Sequence, residues 1–204
     1  MTVPKKINLG SGRRFLEDHL NLDVNDAWKP DIVVDIATPN SINPERRFNT
    51  QRFGEITLTA GSFDSIHASH VLEHVPDMVA MMTACRDLLR IGGRMFIEVP
   101  YDLSYGAWQD PTHVRALNER SWLYYTDWFW MSGWRDARFV VRSLLLVYSD
   151  IGEALIKSGV DSQLVMRTPR AVDVMKVELE KIAFSALDIE TVQRETPPEG
   201  LSRA

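Results

Sequence analysis

Ile7-Asn8-Leu9-Gly10-Ser11-Gly12 is the segment from which the rest of the chain is best read. Lys6 to Leu9 has the short, partly β-branched character of a buried strand, and it runs directly into two glycines separated by one serine. Glycine lets the backbone enter left-handed conformations and lets a ligand approach the amide groups closely. A turn of this kind beyond the carboxyl end of a parallel strand suits a nucleotide-like cofactor, with Leu9, Gly10, Ser11 and Gly12 as contacts. A Gly-x-Gly turn is common, so its meaning depends on the strands and acids downstream of it.

Downstream the chain alternates regularly. Candidate strands at Leu20 to Val24, Ile32 to Asp35, Phe63 to Ser69 and Arg94 to Val99 each end near Gly, Asp, Ser or Pro, which is the pattern of a parallel sheet built from crossover units. Val75 to Leu89 places Val75, Met78, Val79, Met82, Cys85, Leu88 and Leu89 on one helical stripe, with Gly92-Gly93 expected to cap it. The second strand carries Asp23, followed by Val24, where this architecture puts an acceptor for ribose hydroxyls. The third ends on Asp35, placed to face an adenine amino group or simply to end the strand. A nicotinamide site would need a third glycine and an acid about 20 residues on. Phe15 holds the third-glycine position and Asp23 comes too early.

Farther along, Phe139 to Tyr148 and Asp173 to Ile182 read as an antiparallel pair around an intervening arm, with a helix from Ser149 to Ser158. One domain over residues 1–190 is expected, followed by a flexible tail at 191–204.

The chain has 204 residues, 45% of them hydrophobic and 25% charged, which fits an independently folding globular domain. With a net charge of -5 and Lys and Arg scattered singly or in pairs, a nucleic-acid partner is not expected. No stretch reaches the ~18–20 apolar residues of a membrane span, and no signal pattern opens the chain, so a cytoplasmic protein without a membrane partner is expected. The single cysteine, Cys85, falls among apolar residues at helical spacing and reads as a buried, inert thiol.

The ordered set Ile7 to Gly12, Asn21-Leu22-Asp23, Asp31 to Asp35, Phe63 to His74, and Leu88-Leu89-Arg90-Ile91-Gly92-Gly93 resembles the class I S-adenosylmethionine-dependent methyltransferases, closest to a small bacterial branch with a short first helix. The resemblance runs from about Lys5 to Pro100. It implies a Rossmann-like α/β fold: a seven-stranded, mostly parallel sheet with an antiparallel last strand and helices on both faces. It implies S-adenosylmethionine as cofactor, with its methionine part on Gly10, Ser11 and Gly12, its ribose on Asp23, its adenine by Asp35 and Ile36, and its methyl near Ser69 and His70. The third glycine that the family often has is absent, which leaves Arg13 and Arg14 to contribute there.

His70-Val71-Leu72-Glu73-His74 also spells the H-x-x-E-H pattern of inverted zinc peptidases, in which two histidines on one helical face bind zinc and the glutamate is the base. That pattern needs an established helix, whereas this one directly follows a strand. The preferred reading therefore assigns no metal, and lets Glu73 and His74 cap the helix that Val75 begins. A non-catalytic cofactor-binding protein of the same fold is the other alternative.

The segment Tyr101 to Trp134 holds five of the six tryptophans and four of the five tyrosines. Tyr101 to Arg115 leaves the carboxyl edge of the sheet, where ligands bind. Tyr101, Trp108, His113 and Arg115 are its candidate contacts to a small-molecule or sugar acceptor. For a hydroxyl acceptor His113 is the first candidate base, oriented by Asp110, and His70 the second. The run from Trp122 to Trp134 reads as core of a cap, part of the acceptor pocket, or the interface of a homodimer.

Overall fold

The structure is a computed structural model of the chain, and residues 3–38, 41 and 46–195 are described. Seven strands form one sheet: β1 (Lys6–Leu9), β2 (Leu20–Asp23), β3 (Ile32–Val33), β6 (Phe63–Ser69), β7 (Leu89–Pro100), β8 (Ala137–Tyr148) and β9 (Val172–Ala183). The remaining two, β4 (Arg47–Thr50) and β5 (Gly54–Thr57), pair apart as a small hairpin. Across the sheet the order is β3-β2-β1-β6-β7-β9-β8. β1 pairs in parallel with β2 and β6, β2 with β3, and β6 with β7. β9 runs antiparallel to both of its neighbours, so the reversed strand is the last in the chain, as the sequence suggests.

Register explains the two faces. Ile7 lies opposite Leu20 and Ile66, and Ile66 opposite Met95, which in turn faces Leu179; all are fully buried, so every second residue builds one apolar face. Helix α1 (Met78–Leu88) follows β6 and precedes β7, with Met82, Cys85 and Leu88 buried in the same core. Burial of Cys85 pushes its thiol up to about 12, so it stays protonated, as expected of a packing residue. On the other face the same strands carry Asn8, His67, Phe96, Glu98 and Lys176, which line a cavity of about 370 Å³.

Both ends of α1 differ from the sequence expectation. Pro76 keeps residues 75–77 out of the helix, and the Asp77 carboxylate accepts from the Ala80 N–H as the cap, so α1 begins at Met78 and not at Val75. At the other end Leu89 leaves α1 already extended, and Gly92, at φ 77°, bends β7 where its register against β6 shifts. The glycines therefore shape the strand and do not cap the helix. Helix α2 (Asp150–Lys157) stands where expected, joined by a short α3 (Ser162–Met166) that the sequence reading missed. Helix α4 (Ala186–Glu195) extends past the 190/191 boundary drawn from sequence, and residues 196–204 of the expected tail lie outside those described. Among the described residues, no helix is long and apolar enough to cross a membrane.

Between β1 and β2 the crossover is a loop, held by side chains where a helix would otherwise hold it. The fully buried Asn21 accepts from the Leu16 N–H and donates to the Leu16 and His19 carbonyls, while Asn8 donates to the Arg14 carbonyl and to Asn21. From the hairpin, Arg52 donates to both oxygens of Asp31 at 2.7 Å and to the His19 carbonyl at 2.6 Å, and stacks on Phe15. Burial alone would raise the Asp31 carboxyl, but hydrogen bonds from Arg52 and Asn21 outweigh it and hold the group below its ordinary value.

In the aromatic segment, Trp122, Tyr125, Phe129 and Trp134 are buried and Trp134 donates to the Thr83 hydroxyl of α1 at 2.8 Å. Core packing is the main role of this run, with Tyr124, Trp128 and Met131 left outside it.

Candidate functional site

Gly10 and Gly12 take φ values of 61° and 46°, the left-handed region that glycine enters without strain. A Cβ on Gly10 would collide with the Val71 side chain, so the turn is pressed against the segment after β6. The turn is also tied to the end of β2: Ser11 N–H donates to the Leu22 carbonyl at 3.0 Å and Gly12 N–H to the Asp23 carboxylate at 2.8 Å. The other Asp23 oxygen accepts from the Asn25 N–H at 2.8 Å. A carboxylate has about four acceptor positions, so two remain for ligand hydroxyls.

Leu9, Gly10, Asp23, Val24, Asp35 and Ile36, six of the residues expected to contact a cofactor, line one cavity of about 590 Å³. The Val34 to Thr38 segment and Val71 to Asp77 close it, and His74 stands on its wall. Asp35 is turned partly inward on its own chain, accepting from the Ala37 N–H at 2.9 Å. Ser11 Oγ is buried without a hydrogen-bond partner beside the turn. The glycine cradle, the spare acceptor positions of Asp23 and that unpartnered hydroxyl fit a nucleoside cofactor with polar ends.

Ser69 and His70 stand elsewhere. Ser69 lines the cavity on the polar face of the sheet. His70 has φ 55° and lies between two carboxylates, with Nδ1 3.2 Å from Glu73 and Nε2 3.5 Å from Glu98. The Glu73 hydrogen bond raises its pKa against the effect of burial, and Glu98 adds to the rise. Carboxylates near both nitrogens favour the protonated ring, which counts against His70 as the base. The zinc-peptidase pattern is also broken, because Leu72–His74 is a single 3-10 turn and no helical face carries His70 and His74 together.

The acceptor segment is only partly as expected. Tyr101 is buried and donates to Glu119 at 2.7 Å; burial, with Glu119 second, pushes its hydroxyl upward, so it is not free to meet a substrate. Arg115 Nη2 donates to the Val75 and Pro76 carbonyls at 2.6 and 2.7 Å, a clamp on the residues just ahead of α1. Trp108 is exposed. Asp110 does not orient His113: its Oδ1 accepts from the Thr112 N–H and hydroxyl, and Thr112 in turn meets His74 Nδ1 at 2.9 Å. His113 Nδ1 donates instead to the Ala107 carbonyl at 2.9 Å.

Sequence reasoning named Glu73 and His74 as site residues only in the zinc-peptidase alternative and did not name Thr112. The Val114 N–H donates to the Glu73 carbonyl at 2.9 Å, which brings the 110–115 loop down onto Leu72–His74, and the His74 and His113 rings meet edge to face at 4.5 Å. Only the fold joins these groups, and the sole sequence signal was the H-x-x-E-H spelling itself.

A family model described as a methyltransferase domain matches residues 7–140. A ubiquinone biosynthesis O-methyltransferase of Xanthomonas axonopodis pv. citri (strain 306) is 50% identical over 38 residues, 19% of this chain and 16% of the relative. The chain thus aligns with only about a sixth of that relative's length. An S-adenosylmethionine-dependent methyltransferase from Archaeoglobus fulgidus superposes with a TM-score of 0.56 at 14% identity, over 87% of this chain and 86% of that one. Another from Mesorhizobium loti gives 0.51 at 13%, over 86% and 90%. A glycine turn locked to Asp23 at the carboxyl edge of this sheet order, together with a family match over most of the sheet, places the chain among the class I S-adenosylmethionine-dependent methyltransferases.

Proposed function

We infer that the chain methylates a hydroxyl of a small molecule, a sugar among the candidates, that enters beneath the Tyr101–Arg115 loop. The observation that carries this reading is the cavity at Gly10, Asp23 and Asp35, whose wall at His74 adjoins His113 of that loop. S-adenosylmethionine, when bound, would supply a sulfonium methyl that the acceptor oxygen takes by displacing sulfur, the electron pair of the carbon–sulfur bond staying on sulfur.

The chain's own residues do the rest. Asp23 offers its remaining acceptor positions to the ribose hydroxyls, and the Gly10–Gly12 turn, its Ser11 and Gly12 N–H groups held by Leu22 and Asp23, lets the cofactor's methionine end approach the backbone closely. Asp35 and Ile36 border the adenine. Displacement at carbon demands a straight line from acceptor through methyl to sulfur, which favours a rigid, water-poor mouth. A hydroxyl acceptor must also give up its proton, and imidazole nitrogens of His74 and His113 are the groups at that mouth able to promote the loss. The O-methyltransferase name of the partial relative supports an oxygen acceptor.

The test is transfer of radiolabelled methyl to a panel of phenolic, aliphatic and sugar alcohols, run beside amines and thiols. Methylation confined to oxygen supports the reading. Turnover on amines or thiols alone overturns the oxygen assignment, and binding of S-adenosylhomocysteine without turnover on any class leaves the non-catalytic alternative standing.

A further inference from the structure

We propose that Glu73, His74 and His113 form a site for a divalent first-row transition-metal ion at the mouth of the cofactor cavity, with its open positions turned to the acceptor. The three residues each bring one ligand atom to within 4.8 Å of the other two. Bonds of about 2.1 Å at tetrahedral or octahedral angles put neighbouring donors about 3.0–3.4 Å apart, a closure that small side-chain rotations supply.

The protonation pattern argues for a cation. The Ala107 carbonyl can only accept, so His113 carries a proton on Nδ1, and its neutral form presents Nε2 as the lone pair. The Thr112 hydroxyl gives its one proton to Asp110 Oδ1, so it accepts from His74 Nδ1, and the neutral His74 ring likewise presents Nε2 as its lone pair. Both rings are thus fixed in the tautomer that ligates through Nε2, each by an outer partner of the kind that orients metal-bound histidines.

Glu73 supplies the independent observation. Its side chain is 2% exposed, and while Oε1 faces His70, Oε2 is buried with no hydrogen-bond partner. A buried carboxylate oxygen left bare costs free energy that a cation recovers. Two imidazoles and one carboxylate suit zinc, iron(II) or cobalt(II) better than calcium or magnesium, which prefer oxygen donors.

For the acceptor this inference rests on the methyl-transfer reading. An ion there lowers the pKa of an acceptor hydroxyl, whose proton leaves to solvent before oxygen attacks the methyl carbon. His74 and His113 then act through the ion and not as bases.

The experiment separates the two readings by measuring metal without donor or acceptor. Chelator-treated full-length protein is titrated with cobalt(II), followed by visible d–d absorption, and with zinc(II) by calorimetry, while S-adenosylhomocysteine binding is measured on its own. One ion per chain with an intense cobalt spectrum is expected. Glu73→Gln and His113→Asn should each weaken cobalt binding more than about 100-fold, and Thr112→Val about 10–100-fold through the loosened His74 ring. His113→Asn should keep S-adenosylhomocysteine affinity within about twofold, which confirms that the variant folds. No saturable cobalt or zinc binding by wild-type protein that still binds S-adenosylhomocysteine overturns the site and leaves the cofactor reading intact. Cobalt binding that survives all three substitutions also overturns it. Metal binding without S-adenosylhomocysteine binding sinks the cofactor reading and spares the site.

Discussion

Asp23 Oδ2 accepts the Gly12 N–H at 2.8 Å, so the carboxylate that would hold a ribose also fixes the turn that would hold the rest of the cofactor. One side chain thereby governs two contacts, and Asp23→Asn disturbs both. An amide has one acceptor oxygen for the two backbone donors, Gly12 and Asn25, so its NH2 must oppose one of them. S-adenosylhomocysteine affinity measured by calorimetry should fall about 30–150-fold, the equivalent of ~2–3 kcal/mol for charged hydrogen bonds. Unchanged affinity would show that Asp23 only shapes the turn.

Gly10→Ala combines a left-handed φ of 61° with a Cβ driven into the Val71 side chain. The backbone term alone is about 1–2 kcal/mol, and the collision adds to it. Thermal unfolding should show that loss together with weaker S-adenosylhomocysteine binding. Adding Val71→Ala should restore part of both, because it removes the collision and leaves the backbone strain. A double variant no better than Gly10→Ala would place the damage entirely in the backbone.

Arg52→Met strips the partner from Asp31, whose side chain is 3% exposed, while that of Arg52 retains 20%. Breaking a buried pair costs about 3–5 kcal/mol, and the exposure of Arg52 lowers the expectation to about 2–4 kcal/mol in urea unfolding. The pH dependence has a definite sign. Asp31 is depressed in the folded state, so its contribution is fully present above the unfolded value near 3.9 and is lost as pH falls through the lower folded value. The stability gap between wild type and Asp31→Asn should stay constant near neutrality and close in acid. A gap that closes on the alkaline side would contradict this assignment.

Arg115→Met removes the clamp on Val75 and Pro76. Amide exchange across residues 110–115 should quicken, and the KM for the acceptor should rise while S-adenosylhomocysteine affinity changes little. Unaltered exchange with a large loss of turnover would return Arg115 to a direct substrate role.

The central sheet was legible because its signals are local. The Gly10-Ser11-Gly12 turn, the carboxylate of Asp23 and the alternation of apolar residues in Phe63 to Ser69 each announce themselves within a few positions. The hairpin of Arg47–Thr50 and Gly54–Thr57 was not, since two four-residue strands with few apolar positions carry too little periodicity. Helix α1 was found but misplaced at both ends, because Asp77 and Pro76 outweigh the stripe that begins at Val75, and Gly92 serves the strand. The meeting of Glu73, His74 and His113 joins residues some 40 positions apart through the Val114-to-Glu73 backbone contact, and no spacing rule reports that. Tyr101 and Arg115 were read from residue types that suit a pocket, whereas their hydrogen-bond partners in the fold are Glu119 and two carbonyls.

The loop between β1 and β2 has no helix to nucleate it, and its side-chain order is borrowed from Arg52, 33 residues beyond His19 in the chain. Loop closure over such a distance must precede any return from those bonds. The far end of the loop, at His19, therefore leans on a contact that exists only where the hairpin is in place. A nascent chain that has emerged only through β3 already holds the glycines and Asp23, yet it lacks the residue that holds that far end of the loop.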